Sequence, residues 1–353
     1  MIKKRNFLLL ALVMILLLWQ PLNAFATEEK QPEPFIIDTD FSSDVDDALA
    51  ISTAMWFQDN KLVDIRGVAL CTSSARGCWA MSALLGQHSY WDIPIANDWD
   101  DGIVIGSKYH LGMTNRYPYK EEHFVDTVNY YRMLLASSAE PINIVTLGQL
   151  TNISALLNSE LDVHSPLSGV ALVQQKVKTL YILGCKANGT PENNMWYAGE
   201  NYGNNKWYGT RGVTEAAIDV AKNWPGRVVF MTSELGGVFN VGQFFKEDDR
   251  TRTDILTNAL QDYGVLDTGT MAFDPMGIYI AMLDANNKLE GKGLNVVPGT
   301  MRIYANGSSS FTDNDFTRFH LRIEKTFADS FYQSEINEML QYEYEKRSKK
   351  GGD

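Results

Sequence analysis

The chain has 353 residues and a formal net charge of −12, with 45% hydrophobic and 21% charged residues. That is enough apolar material for one large core, and the acidic balance argues against binding a phosphate backbone. Three cysteines, Cys71, Cys78 and Cys185, are too sparse for a disulfide framework. One bridge plus one buried thiol and three buried thiols both fit, and no Cys/His spacing suggests zinc.

In chain order, the first feature is an export signal. Lys3, Lys4 and Arg5 precede an apolar run over 7–19 and the small-x-small tripeptide Ala24-Phe25-Ala26. The run is short for a membrane span. The pattern predicts a signal peptide over 1–26, cleavage after Ala26, and a secreted or periplasmic protein. A polar leader follows at 28–34, then a short apolar strand at 35–37 that ends in a cluster of acids.

Beyond that cluster the pattern predicts helix over 48–57, strand over 63–71, helix over 77–89 and strand over 93–96. Strand is predicted again at 142–146, with a turn and then a helix at 152–157. Strand 177–183, helix 213–223 and strand 228–232 continue the alternation. Residues 294–304 read as paired edge strands, 327–344 as a closing helix, and 345–353 as a polar tail. Alternating strands and helices imply a three-layer, Rossmann-like α/β fold: a mostly parallel central sheet with helices on both faces. No repeat or linker interrupts it, so a single domain over 27–344, folded from about Phe35, is the expectation.

The strongest chemical signal is Asp38-Thr39-Asp40-Phe41-Ser42-Ser43-Asp44-Val45-Asp46-Asp47-Ala48, which places five carboxylates within ten residues. In an open parallel sheet, ligands bind beyond the carboxyl ends of strands. Crowded carboxylates repel one another unless protons or a cation neutralise them. A hard divalent ion with oxygen ligands, Ca²⁺ or Mg²⁺, is the natural counter-charge.

The pattern D-T-D-x-x-x-D-x-D-D-A-L-A resembles the N-terminal signature of the inosine–uridine-preferring nucleoside hydrolase family, usually D-x-D-P-G-x-D-D-A, with two extra residues before the Asp pair. The resemblance implies Ca²⁺ as the cofactor, with Asp40 and Asp47 as ligands. It also implies Asp40 as the base that activates the attacking water, Asp46 as a ribose contact and Asp38 as support behind the site. Asp44 falls in the inserted stretch and has no counterpart. Two distant motifs agree. Residues 145–152, Val-Thr-Leu-Gly-Gln-Leu-Thr-Asn, resemble the family's L-G-P-L-T-N, which maps a ligating backbone carbonyl to Leu147. Phe273-Asp274-Pro275 resembles the family's H-D-P, which makes Asp274 the fourth protein ligand. Read without the resemblance, the first is a strand–turn–helix with Thr151 or Asn152 as its cap, and the second a helix start.

Weaker matches extend the site. Tyr181-Ile182-Leu183-Gly184 resembles the strand before the family's ribose-binding loop, and Asn194 and Glu200 have the spacing of its sugar-clamping Asn and Glu. Tyr202 stands where a further Asn is expected; Asn201 or Asn204 would have to replace it. Tyr109-His110-Leu111-Gly112 resembles a base-side loop and makes His110 a substrate contact. There are also departures. Phe273 replaces the leaving-group His of many purine-cleaving members, and Ser73 or Ser74 falls where an early ribose-binding Asn is expected. The loop 188–207 is long and aromatic, with Trp196, Tyr197, Tyr202 and Trp207, followed by Tyr208. Those rings either stack on a base or pack the loop.

The implied fold is nucleoside hydrolase-like. The implied activity is calcium-dependent hydrolysis of the N-glycosidic bond of ribonucleosides to base and ribose, as in purine or pyrimidine salvage. The partner is a small nucleoside or riboside, with no nucleic acid and no membrane after signal removal; an assembly of identical subunits is compatible. Two other classes compete. A non-catalytic calcium-dependent ribose- or sugar-binding protein would keep the metal shell and lose the leaving-group acid. An Asp-x-Asp phosphatase on Asp38 and Asp40 would need a Lys near phosphate and leaves Asp46 and Asp47 unexplained.

Overall fold

A computed structural model describes residues 31–42, 44–97, 106–186, 189–196, 212–247 and 254–350. The first half carries β1 (Glu33–Thr39), α1 (Asp46–Asp59), β2 (Val63–Leu70), α2 (Ala75–Gln87), β3 (Ile95–Asn97), α3 (His110–Arg116), α4 (Thr127–Ser137), β4 (Ile142–Thr146), α5 (Thr151–Leu157) and α6 (Gly169–Lys176). The second half carries β5 (Val177–Leu183), α7 (Val213–Asn223), β6 (Val228–Met231), a small pair β7 (Asn240–Val241) and β8 (Thr270–Met271), α8 (Ile255–Tyr263) and α9 (Phe273–Ala285). It closes with β9 (Leu294–Ile303), β10 (Ser309–Asp313), β11 (His320–Lys325) and α10 (Asp329–Lys350).

Nine strands form one sheet in the order β10-β9-β11-β6-β5-β4-β1-β2-β3 among the described residues. Every neighbouring pair from β11 to β3 is parallel; β9 runs antiparallel to β11, and β10 to β9. The central strands are buried on both faces, and their side chains alternate between two cores. Phe35, Ile37, Val145, Tyr181, Leu183, Val229 and Met231 face the core built by α1, α2, α8, α9 and α10. Ile36, Ile144, Leu180, Ile182, Val228 and Phe230 face the core built by α4, α5, α6 and α7. The period of two along each strand explains why these segments read as unbroken apolar runs. The three-layer, mostly parallel architecture expected from the sequence is therefore the one observed.

The topology places the site. From β1 the chain builds outward through β2 and β3, then returns and builds the other way through β4, β5 and β6. The order reverses between β1 and β4, and a crevice at such a switch point is where open α/β sheets bind ligands. The acid cluster leaves β1, and the Leu147-Gly148-Gln149 turn leaves β4, at that point.

Some details differ from the sequence reading. Residues 294–303 are one strand, not a pair; β9 finds its two partners in β10 and β11 further along. The closing helix runs through Lys350, so 345–350 are not a loose tail. Arg347 anchors it from a buried position: its Nε donates to Asp254 at 2.8 Å and its Nη1 lies 3.2 Å from His88. The three cysteines are free and buried. Among the described residues, no helix is long and apolar enough to cross a membrane.

Candidate active site

Two helix N-termini, one following β1 and the other following β8, supply carboxylates to the site. Asp46 and Asp47 occupy the first turn of α1, and Asp274 the first turn of α9. A helix N-terminus carries exposed N–H groups and the positive end of its dipole, so both helices favour carboxylates at these positions. Asp46 Oδ2 accepts the backbone N–H of Asp274 at 3.2 Å, which joins the two helix ends directly.

Carboxylate oxygens of Asp40, Asp47 and Asp274 converge within 4.8 Å of one another, and those of Asp44, Asp46 and Asp47 form a second group of the same span. Asp47 belongs to both and is fully buried. Its Oδ1 accepts a hydrogen bond from the Thr39 hydroxyl, while its Oδ2 is buried without a donor. Burial, and then the charges of neighbouring carboxylates, push Asp46, Asp47 and Asp274 well above the ordinary carboxylate range. Such a group is held in deficit of positive charge. An orphaned oxygen among hard carboxylate donors fits an oxygen-coordinated divalent cation.

Behind this cluster, Asp38 is fully buried. Its Oδ2 accepts from the Tyr131 hydroxyl at 2.7 Å and from Asn152 Nδ2 at 2.9 Å. Asn152 does not cap α5, and neither does Thr151; the helix has no side-chain cap, because the Asp38 carboxylate draws the Asn152 amide inward.

A cavity of about 160 Å³ opens over the cluster. Asp40, Asp44, Asp46, Asp274, Leu147 and Phe273 line it together with Lys186, Glu192, Asn194 and Ser233. Asn194 Nδ2 donates to the carbonyls of Leu147 at 2.7 Å and of Leu183 at 3.2 Å. A carbonyl has two lone pairs, so the Leu147 oxygen keeps one beyond this bond. The backbone at Gly184 has φ +148°, and a Cβ there would meet the Met195 methyl at 2.4 Å; glycine lets the loop after β5 fold back over the site.

The structure therefore brings together Asp40, Asp46, Asp47, Leu147, Asp274 and Asn194, with Asp44 beside them. Glu200, Asn201, Asn204 and the loop aromatics Tyr197, Tyr202, Trp207 and Tyr208 lie outside the described residues. Ser74 serves as the N-cap of α2, accepting from Gly77 at 3.0 Å. His110 is not at the cavity. Its ring is buried and stacks on Phe41 with centroids 4.8 Å apart, and burial pushes its pKa down to about 3. The physical reason is visible in the sequence only afterwards: Phe41 and Tyr109 wall the ring in, and Tyr109 donates to the Asp44 carbonyl at 2.8 Å.

Four site residues escaped the sequence reading. Gln149 and Cys71 sit under Asp40, within the turns that follow β4 and β2. Glu192 and Lys186 line the cavity. Burial pushes Glu192 up to about 7, opposed by hydrogen bonds from the Asn194 and Cys185 backbones and the Ser233 side chain. A carboxylate two residues before Asn194 was the available signal.

With this geometry in view, known proteins offer a fold comparison. No family model matches the chain, and no curated protein matches it by sequence. Among solved structures it is similar to a plant nucleoside hydrolase, with TM-score 0.62 and 18% identity over 88% of this chain and 98% of that one. It is also similar to the inosine-uridine preferring nucleoside hydrolase from Bacillus anthracis, with TM-score 0.60 and 13% identity over 87% and 99%. A purine-preferring ribonucleoside hydrolase from Gardnerella vaginalis gives TM-score 0.61 and 12% identity over 88% and 99%. At such identities the likeness establishes a shared fold, spanning nearly the whole of each neighbour.

Proposed function

We propose that this chain is an exported, calcium-dependent nucleoside hydrolase that cleaves the N-glycosidic bond of ribonucleosides. The observation that carries the reading is the meeting of Asp40 and Asp47, from the segment after β1, with the distant Asp274, within 4.8 Å at the sheet's switch point. Similarity of fold to proteins described as nucleoside hydrolases supports it.

Asp40, Asp47, Asp274 and the Leu147 carbonyl would hold the ion. When bound, calcium supplies coordination that orients two sugar hydroxyls and makes the attacking water more acidic. Asp40 takes the water's proton as general base. Asp46 accepts from a sugar hydroxyl, and Asn194, whose amide nitrogen is held by the Leu147 and Leu183 carbonyls, accepts from another through its oxygen. As the glycosidic bond stretches, positive charge grows on the sugar ring, and the surrounding carboxylates stabilise it. Phe273, at the place where the resemblance expects a histidine, offers the departing base an apolar ring and no proton. Export places this chemistry outside the cytoplasm, on a mature chain that begins at Thr27.

The same Phe273 favours a second reading, a calcium-dependent riboside-binding protein that has lost its leaving-group acid. Incubation with a panel of purine and pyrimidine ribonucleosides, followed by chromatography, separates the two. The hydrolase reading predicts free base and free ribose from at least one member; tight riboside binding with no free ribose from any would favour the binding protein.

A further inference from the structure

Beneath Asp40 lies a chain of hydrogen bonds that the proposed reaction does not by itself require. Gln149 is 2% exposed. Its Nε2 donates to Asp40 Oδ2 at 3.0 Å and points at Asn194 Oδ1 at 3.4 Å. Its Oε1 lies 3.3 Å from the Cys71 thiol, which donates to it. Asn194 in turn donates its Nδ2 to the Leu147 and Leu183 carbonyls.

Only one arrangement of the amides satisfies this chain. Backbone carbonyls accept and never donate, so Asn194 must turn its nitrogen to them and its oxygen to Gln149. Gln149 must then present nitrogen to Asn194 and Asp40, and oxygen to Cys71. The remaining partner must be a donor, and the thiol is one. Burial, and then the charges of Asp38 and Asp40, push the Cys71 thiol well up, so it keeps its proton. Close packing leaves no freedom to rearrange: a Cβ at Gly148 would meet the Asp40 nitrogen at 2.6 Å and the Cys71 sulfur at 2.9 Å.

We infer that Gln149, oriented by the Cys71 thiol, is a positioning residue that fixes the Asp40 carboxylate and Asn194 relative to each other. The inference rests on the proposed function for its kinetic consequences and on geometry alone for the placement of Asp40. With Cys71 removed, the amide is free to flip and to present oxygen to a carboxylate. A flipped amide repels Asp40 instead of holding it.

The test uses the full-length protein and its Cys71→Ala, Cys71→Ser and Gln149→Met variants. Turnover of nitrophenyl riboside, calcium affinity by calorimetry and Tm are measured for each. Alanine and serine shrink the site alike, but only serine keeps a donor. Cys71→Ala and Gln149→Met are expected to lower kcat by about 10- to 100-fold, the worth of a hydrogen bond to a charged group, with KM within about threefold. Cys71→Ser is expected to keep kcat within about threefold of the native protein, although its Tm falls as much as that of Cys71→Ala. Equal kcat in the alanine and serine variants would reduce Cys71 to packing and overturn the inference, as would native kcat in Gln149→Met. If the native protein turns nothing over, the proposed reaction fails and calcium affinity decides the placement. Affinity lost about tenfold in Cys71→Ala and kept in Cys71→Ser upholds it; equal affinities, or no calcium binding at all, overturn it. If Gln149→Met does not fold, the alanine–serine pair decides alone.

Discussion

Asp46 Oδ2 accepts the backbone N–H of Asp274 at 3.2 Å, so the first turns of α1 and α9 are fastened to each other through a carboxylate. The contact spans 228 positions of sequence and sets two like charges side by side. Its cost depends on what neutralises them, so the proposed calcium ion and protons are expected to substitute for each other to a measurable extent.

Asp46, Asp47 and Asp274 are all raised by burial and then by the charges of neighbouring carboxylates. A carboxyl raised in the folded state binds more protons folded than unfolded, so stability falls as pH climbs from the unfolded value, about 4, through the raised folded values. In chelator, Tm is therefore expected to be higher near about pH 5 than near about pH 7.5. Calcium at 100 times its Kd adds about 2.7 kcal/mol and is expected to reverse the order, because protons then compete with the ion. Calorimetric scans at both pH values, with and without calcium, check this. Parallel pH profiles in the two conditions would mean that the ion binds elsewhere.

Gly148 is predicted to tolerate no side chain. Its Cβ position lies 2.6 Å from the Asp40 nitrogen. Gly148→Ala must push β4's turn away from Asp40, at a cost of about 1–3 kcal/mol. Calcium affinity should fall with it, since the Leu147 carbonyl and Asp40 separate. Chemical denaturation and calorimetry on the same preparation test both halves; a destabilised variant with native affinity would detach Leu147 and Asp40 from the ion.

His110 is expected to be a packing residue. Its ring is buried against Phe41, and with a pKa of about 3 it is uncharged at neutral pH. His110→Ala should lower stability and cut turnover of inosine and nitrophenyl riboside by the same factor. A loss confined to inosine would restore the histidine as the leaving-group acid. The kcat/KM ratio of the two substrates, native against variant, gives the answer.

These residues also show where the sequence was legible. The order of strands and helices was readable because the apolar runs of β1, β4 and β5 are buried on both faces and bounded by turns. The acid cluster after β1 was readable because one short segment concentrates its carboxylates, whereas Asp274 was reached only through the resemblance of Phe273-Asp274-Pro275 to H-D-P, Asp-Pro by itself marking no more than a helix start. Gln149, Cys71 and Glu192 were hidden, since each works through a tertiary partner: Asp40 for Gln149, Gln149 for Cys71, and the Asn194 and Cys185 backbones for Glu192. The burial of His110 was hard to read because Phe41, on which its ring stacks, is distant in sequence, and the adjacent Tyr109 alone does not reveal it. The helical 345–350 segment was hidden for the same reason, its anchor being Asp254.

That anchor is worth a test. The Arg347–Asp254 pair is buried, and Glu343, raised to about 8 chiefly by burial, pairs with His88 at 2.9 Å. Removing one partner of a buried pair costs about 3–5 kcal/mol. Truncation after Tyr344 should therefore lower Tm by at least about 5 °C, and Arg347→Met by a similar amount. Native Tm in the truncated protein would return 345–350 to the status of a tail.

The most direct test of the account is turnover of nitrophenyl riboside by chelator-treated protein titrated with calcium. The account predicts no nitrophenolate release in chelator and recovery that saturates at one ion per chain, with free ribose as the second product. Full turnover in chelator, or calcium-loaded protein that releases no nitrophenolate, would contradict it.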